Sequence, residues 1–77
     1  MKVRVNAFGQ MRELFPGRQA QVELELPAPV SLRDIICELG INPLIVMMCT
    51  VDGQYRDKEF VPEDGAEIVL IAPPAGG

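Results

Sequence analysis

Between Ala20 and Leu26 every second residue is apolar (Ala20, Val22, Leu24, Leu26), and the residues between them are Gln21, Glu23 and Glu25. Such a period of two is satisfied by a strand with one buried and one wet face. Pro27 and Pro29 end the run, because proline cannot donate to a sheet ladder. A second alternation opens the chain, with Val3, Val5 and Ala7 set against Arg4, Asn6 and Phe8. Between the two strands, Gln10 to Phe15 has room for one helical turn, which Pro16-Gly17 breaks.

The period then changes. Leu32, Ile35, Ile36 and Leu39 fall at i, i+3, i+4 and i+7 and share one face of a helix. Ser31 is its N-cap, with Asp34 three residues on, and Gly40 is the residue expected just past its C-terminus, followed by the apolar contact of Ile41. Asn42-Pro43 reads as a loop, and Ile45 to Val51 is apolar on both parities, as a covered strand would be. Asp52-Gly53 is a hairpin signal leading to a short return strand over Gln54 to Arg56. Pro62-Glu63-Asp64-Gly65 is a further turn, and Ala66 to Ala72 is the last strand. The order is strand, strand, helix, strand, short strand, strand. It predicts an α+β fold of β-grasp type: a mixed sheet of four to five strands, one main helix packed on one face, and the first and last strands as the central pair. Residues 1–72 are expected to form this domain, and residues 73–77 a flexible functional tail.

Size and charge narrow the function classes. A chain of 77 residues buries only about 60% of its unfolded surface, which leaves no room for an enclosed multi-part active site. The net charge of −4 argues against nucleic acid, whose phosphates require clustered Lys and Arg, and suits a partner with a basic docking face. There is no histidine, and Cys37 and Cys49 form no CxxC pair, so a structural zinc site is not expected. Two reduced thiols in a cytoplasmic protein are the expectation, with no signal-peptide or membrane-spanning run in the sequence.

Pro73-Pro74-Ala75-Gly76-Gly77 carries the chemistry. The prolines hold φ near −65° and favour polyproline II, which projects a tail away from its domain. Ala72 before them is pushed toward extended geometry. Gly76 and Gly77 lack a Cβ and so can enter a narrow channel. A terminal carboxylate is a poor electrophile until a partner enzyme activates it with ATP as an acyl-adenylate. A persulfide sulfur can then displace AMP and lead to a thiocarboxylate, a soft nucleophile able to deliver sulfur.

The chain resembles the MoaD/ThiS family of ubiquitin-like sulfur carriers over nearly its whole length. The resemblance is carried by Phe8-Gly9-Gln10-Met11-Arg12-Glu13-Leu14, by Val51-Asp52-Gly53, by Glu63-Asp64-Gly65-Ala66-Glu67-Ile68 and by the Pro73-to-Gly77 tail. The Pro-Pro step is more similar to the small subunit of molybdopterin synthase than to the thiamine carrier. Two features depart from that pattern. Only Ala75 separates Pro-Pro from Gly-Gly, where two residues are usual, which shortens the reach by about 3 Å. Ala72 stands where that group often has an aromatic residue.

The resemblance implies that Gly77, with Gly76 before it, is the site of adenylation and thiocarboxylate formation, and that Phe8, Tyr55, Ala72, Pro73 and Pro74 meet the partner with Arg12 at the edge. The implied partners are an adenylating enzyme similar to ubiquitin-activating enzymes, which uses the ATP, and a sulfur-accepting synthase subunit. The carrier itself is expected to bind no cofactor, to catalyse nothing alone, to avoid nucleic acid and membrane, and to be a monomer by itself. A protein modifier joined through Gly77 to lysines, a thiamine-type carrier and a plain interaction module are the alternatives.

Strand parity places Phe8 on the outer face of the sheet if Val3, Val5 and Ala7 face the helix. On the last strand, inward Val69 and Ile71 would leave Ile68, Leu70 and Ala72 outward, giving an apolar docking face. Met47 and Met48 read as core filler. Cys49 lies in the covered strand, and Cys37 falls on the polar side of the helix beside Asp34 and Glu38, which disfavour a thiolate. Arg18, Arg33, Glu23 and Glu25 read as solvated.

Overall fold

The alternating segments become strands wherever a neighbour completes their hydrogen bonds. The computed structural model describes residues 1–73. Its strands are β1 (Lys2–Phe8), β2 (Gln21–Glu25), β3 (Met48–Val51), β4 (Gln54–Arg56) and β5 (Glu67–Ile71), with one helix, α1 (Leu32–Glu38). They form a single five-stranded sheet in the order β2-β1-β5-β3-β4. β1 and β5 are parallel neighbours, and the other pairs are antiparallel. This is the β-grasp arrangement.

Local chemistry sets the ends of α1. Ser31 Oγ accepts from the Asp34 N–H at 3.2 Å. At the other end Gly40 takes φ +80, its N–H reaches Cys37 O at 2.9 Å, and the Ile41 N–H reaches Ile36 O at 3.2 Å. These two bonds make a Schellman motif, with Gly40 supplying the left-handed conformation. Leu32, Ile35 and Ile36 are fully buried and pack in one core with Val3, Val5, Val51, Ile68 and Leu70.

Two turns place the last strand. Asp52 and Gly53 both have positive φ, +50 and +85, which is the type I′ geometry that matches strand twist in a two-residue hairpin. Asp52 also ties that hairpin to the start of β5: its N–H donates to Glu67 O at 2.8 Å and its Oδ1 accepts from the Glu67 N–H at 3.0 Å. The Pro62–Gly65 turn is fastened to β1. Asp64 Oδ1 accepts from the Lys2 N–H at 2.6 Å, and the Gly65 N–H donates to Lys2 O at 2.7 Å.

Three expectations are corrected, and the helical turn expected after β1 is present. The parity of β5 is the reverse of that expected: Ile68 and Leu70 are 0% exposed and stand opposite Val5 and Ala7, so they belong to the core, while Val69 and Ile71 lie on the outer face. Ile68-Val69-Leu70-Ile71 is apolar at every position, but Glu67 opens the strand on the outer face beside Arg4, and a period of two from it puts Val69 and Ile71 outward; the register with β1 gives the same phase. The covered strand is shorter than Ile45–Val51. Pro43–Ile45 is a 3-10 turn, capped by Asn42 Oδ1 on the Leu44 N–H at 3.0 Å, and β3 starts only at Met48. Met47 and Met48 are consequently exposed rather than core filler. The turn after β1 is also 3-10, over Gly9–Leu14, and sends Met11 into the core, with Phe15 just beyond it.

The parity of β5 has a direct test. Ile68→Ala is expected to lower stability by about 2–5 kcal/mol through an unfilled core cavity, and Val69→Ala by about 1 kcal/mol or less. Urea unfolding of the two variants reads the difference, and the opposite ranking would restore the reversed parity.

Candidate docking face and tail exit

In a sheet, residues in register across strands share a face. Phe8, Ile71 and Met48 form one such outer row across β1, β5 and β3. The next row is Gln21, Asn6, Val69, Thr50 and Tyr55, and the third is Glu23, Arg4 and Glu67. The outer face is therefore graded. It is apolar at the end where β5 leaves the sheet and charged at the other.

The apolar end is open to solvent. Phe8 is 63% exposed, Tyr55 69%, Met47 49% and Met48 37%. β5 finishes with Ile71 O accepting from the Met47 N–H at 2.8 Å. The chain then continues as Ala72 and Pro73 along a shallow groove that these two residues line together with Phe8, Gly9, Gln10, Met47 and Ile71. Large apolar side chains gathered at one point of so small a surface mark a contact site.

The charged end is occupied with itself. Asn6 Nδ2 donates to Glu67 Oε2 at 2.5 Å and to Ile68 O at 3.0 Å, and Gln21 Nε2 donates to Asn6 Oδ1 at 2.7 Å. Arg4 bridges Glu23 and Glu67, each at 3.5 Å. Exposed pairs of this kind contribute about 0–1 kcal/mol each. They leave the apolar end as the part of the face with unmet contacts.

The expected site residues are distributed unevenly over this geometry. Phe8 stands on the outer face beside the tail exit, as its parity predicted. Tyr55 is on the same face but on the edge strand β4, two strand spacings or roughly 10 Å from β5. Ala72 does not join Phe8 on the outer face. It follows the parity of Ile68 and Leu70 and packs, half-buried, against the rim of the core while lining the groove. Arg12 sits on the turn after Phe8, exposed, with its Nε donating to Arg18 O at 3.0 Å. Pro73 is exposed at the groove. Pro74, Gly76 and Gly77 lie outside the described residues. Sequence reasoning missed Met47, Met48, Val69 and Ile71. The signal available for the last two was Glu67, a charged residue that opens β5 on the outer face and shares their parity.

Other chemistry is sparse among the described residues. They hold no group of three or more His, Cys, Asp or Glu side chains that could bind a metal ion, and no helix long and apolar enough to cross a membrane. Cys37 is exposed and Cys49 buried, both as free thiols. Burial pushes the Cys49 thiol above its ordinary range, with Lys58 pulling weakly the other way, so Cys49 resists becoming a nucleophile.

The ThiS family model matches residues 5–77. The chain belongs to the ThiS family. Three solved structures share its fold. SAMP1 from Haloferax volcanii superposes with a TM-score of 0.75 at 14% identity, covering 100% of both chains. A Pyrococcus furiosus protein assigned as molybdopterin converting factor, subunit 1, gives 0.73 at 23%, covering 95% of this chain and 98% of that one. The complex of subunits 1 and 2 of the molybdopterin-converting factor from Helicobacter pylori 26695 gives 0.64 at 22%, covering 100% of both chains. At these identities the likeness is one of fold. No curated protein matches the sequence.

For this ThiS-family chain the exposure of Phe8 makes a specific demand. Phe8→Glu is expected to change folding stability within about 0.5 kcal/mol, as for a surface substitution. Thermal melting checks it, and a collapsed transition would put Phe8 in the core.

Proposed function

We propose that this protein is a sulfur carrier whose reacting group is the carboxylate of Gly77. The observation that carries the reading is the ThiS-family match running through residue 77, over a Pro73-Pro74-Ala75-Gly76-Gly77 tail that follows a β-strand directly. The geometry of β5 supports it. The strand leaves the sheet beside Phe8, Met47 and Met48, so a partner seated on that apolar end is next to the tail it must accept.

The chemistry proceeds in balanced steps. The carboxylate oxygen of Gly77 attacks the α-phosphorus of ATP in the partner's site, and pyrophosphate leaves. A persulfide sulfur attacks the resulting acyl-adenylate and AMP leaves, giving an acyl disulfide. A thiol then attacks the other sulfur of that acyl disulfide, the one bound to the persulfide donor, so the S–S bond breaks, the Gly77 thiocarboxylate leaves and a disulfide joins that thiol to the donor. A side chain at residue 77 would crowd the carbonyl in each step, and glycine has none. The protein itself is a co-substrate. The chemistry belongs to a partner similar to ubiquitin-activating enzymes, and the site of action is the cytoplasm, where ATP is supplied.

The favoured acceptor is the large subunit of a molybdopterin-type synthase, which makes this chain its non-catalytic small subunit. The Pro73-Pro74 step and the shared fold of the two molybdopterin-converting-factor structures support that choice over a thiamine-type acceptor.

Adding one residue after Gly77 is expected to abolish ATP–pyrophosphate exchange with the activating enzyme while leaving the melting transition in place. Normal exchange by the extended chain would overturn the reading. Protein purified from its native host is expected to contain a fraction with one C-terminal oxygen replaced by sulfur, seen by intact-mass spectrometry. Abundant lysine conjugates with no such species would show a protein modifier instead.

A further inference from the structure

The chain has four methionines, and the fold sorts them by exposure. Met11 is fully buried and Met1 half-buried against the core. Met47 and Met48 are 49% and 37% exposed, adjacent in sequence, and both at the point where β5 ends. Met48 stands in register with Ile71, and the Met47 N–H is bonded to Ile71 O at 2.8 Å. Met47 also lines the groove that Ala72 and Pro73 follow. Core packing does not account for this placement, because neither side chain is in the core.

We propose that Met47 and Met48 form a redox-sensitive pair on the docking face, so that oxidation of their thioethers by a peroxide uncouples the carrier from its activating enzyme. The proposal rests on the sulfur-carrier reading above. In the reaction a sulfur lone pair attacks one peroxide oxygen, the O–O bond breaks, and water leaves. Sulfur is oxidised by two electrons and becomes a sulfoxide. Reversal needs a dithiol reductant, which takes the oxygen away as water and is itself oxidised to a disulfide.

The physical consequence follows from where the two groups sit. A thioether is soft and apolar and adapts its shape to a partner surface. A sulfoxide oxygen is a strong acceptor, and enclosing it under a partner without a donor carries the desolvation cost of an unsatisfied polar group. Two such groups beside Phe8 and Ile71 interrupt the apolar end of the face. The fold is expected to persist, because both residues lie outside the core and are partly exposed. The remaining exposed sulfur, Cys37, is on α1 and therefore on the opposite side of the sheet.

The experiment uses the full-length carboxylate form, whose tail carries no sulfur, with Cys37→Ser to remove the exposed thiol. Brief hydrogen peroxide treatment is expected to add oxygen to Met47 and Met48 and to spare Met11, as mapped by peptide mass spectrometry, with the melting temperature held within about 4 °C. In ATP–pyrophosphate exchange the KM for the oxidised carrier is expected to rise about tenfold or more, the loss typical of an interface anchor, and methionine sulfoxide reductase is expected to reverse it. Met47→Leu/Met48→Leu has whatever KM its altered face gives, and peroxide is expected not to move it. An equal peroxide effect on the leucine variant, or no effect on the chain with both sulfoxides mapped, would overturn the switch and leave the carrier reading standing. Absence of exchange with the untreated chain would overturn the carrier reading, and the switch with it.

Discussion

The parallel pairing of β1 with β5 is the constraint from which the rest of the molecule follows. It joins the two ends of the chain, with Arg4 opposite Glu67 and Phe8 opposite Ile71, and it is closed below by the Arg4 N–H on Ala66 O at 3.0 Å. Every bond in it spans most of the sequence, so it forms only when the hairpin, the helix and the β3–β4 turn have brought β5 back. Once formed, it fixes which residues of β5 meet α1. It also brings Phe8, the last residue of β1, level with Ile71, the last residue of β5. The tail exit and the apolar end of the outer face are thus one structural event.

This dependence explains what could be read from the sequence. Features decided within a few residues were legible: the alternation of β1 and β2, the Ser31 cap, the Gly40 terminus, the Asp52-Gly53 hairpin. Each has its own chemical signature, and each is where that signature puts it. Phe8 was also legible, because β1 alternates cleanly enough to state its own phase. The phase of β5 was less so. Four consecutive apolar residues fit either face by themselves; the one local marker, Glu67 just before them, shares parity with Val69 and Ile71, and the pairing of Ile68 with Val5 agrees with it. Met47 and Met48 failed for a related reason. Apolar composition argued for cover, but Asn42 and Pro43 commit the chain to a 3-10 turn, and β3 begins too late to bury them.

The same geometry divides labour between the two faces of the sheet. The inner face has α1 and nearly all the fully buried side chains, so it sets stability. The outer face has no covering element among the described residues. At its charged end Arg4, Glu23, Glu67, Asn6 and Gln21 satisfy one another. A side chain whose hydrogen bonds are already met gains little from a new partner, because binding must first break what exists. The apolar end has no such internal satisfaction, and removing its side chains from water is favourable in proportion to the area covered. The apolar end beside the tail exit is therefore where cover by a partner would be most favourable.

That placement also fits the economy of a carrier. On the proposed reading, an acyl-adenylate formed at the Gly-Gly end would hydrolyse if water reached it, so an activating partner would have to enclose that end. Enclosure needs a tail thin enough to enter and a body that docks firmly enough to hold it there. On that reading the glycines of the sequence would serve the first, and the row of Phe8, Ile71 and Met48 at the end of β5 the second. The two requirements are separable in the molecule. On the proposed reading, changing the tail would alter what reacts, and changing the row would alter how often it is presented. Holding the outer row and the tail exit at one strand end is what would let a domain of this size take part in the proposed acyl transfer.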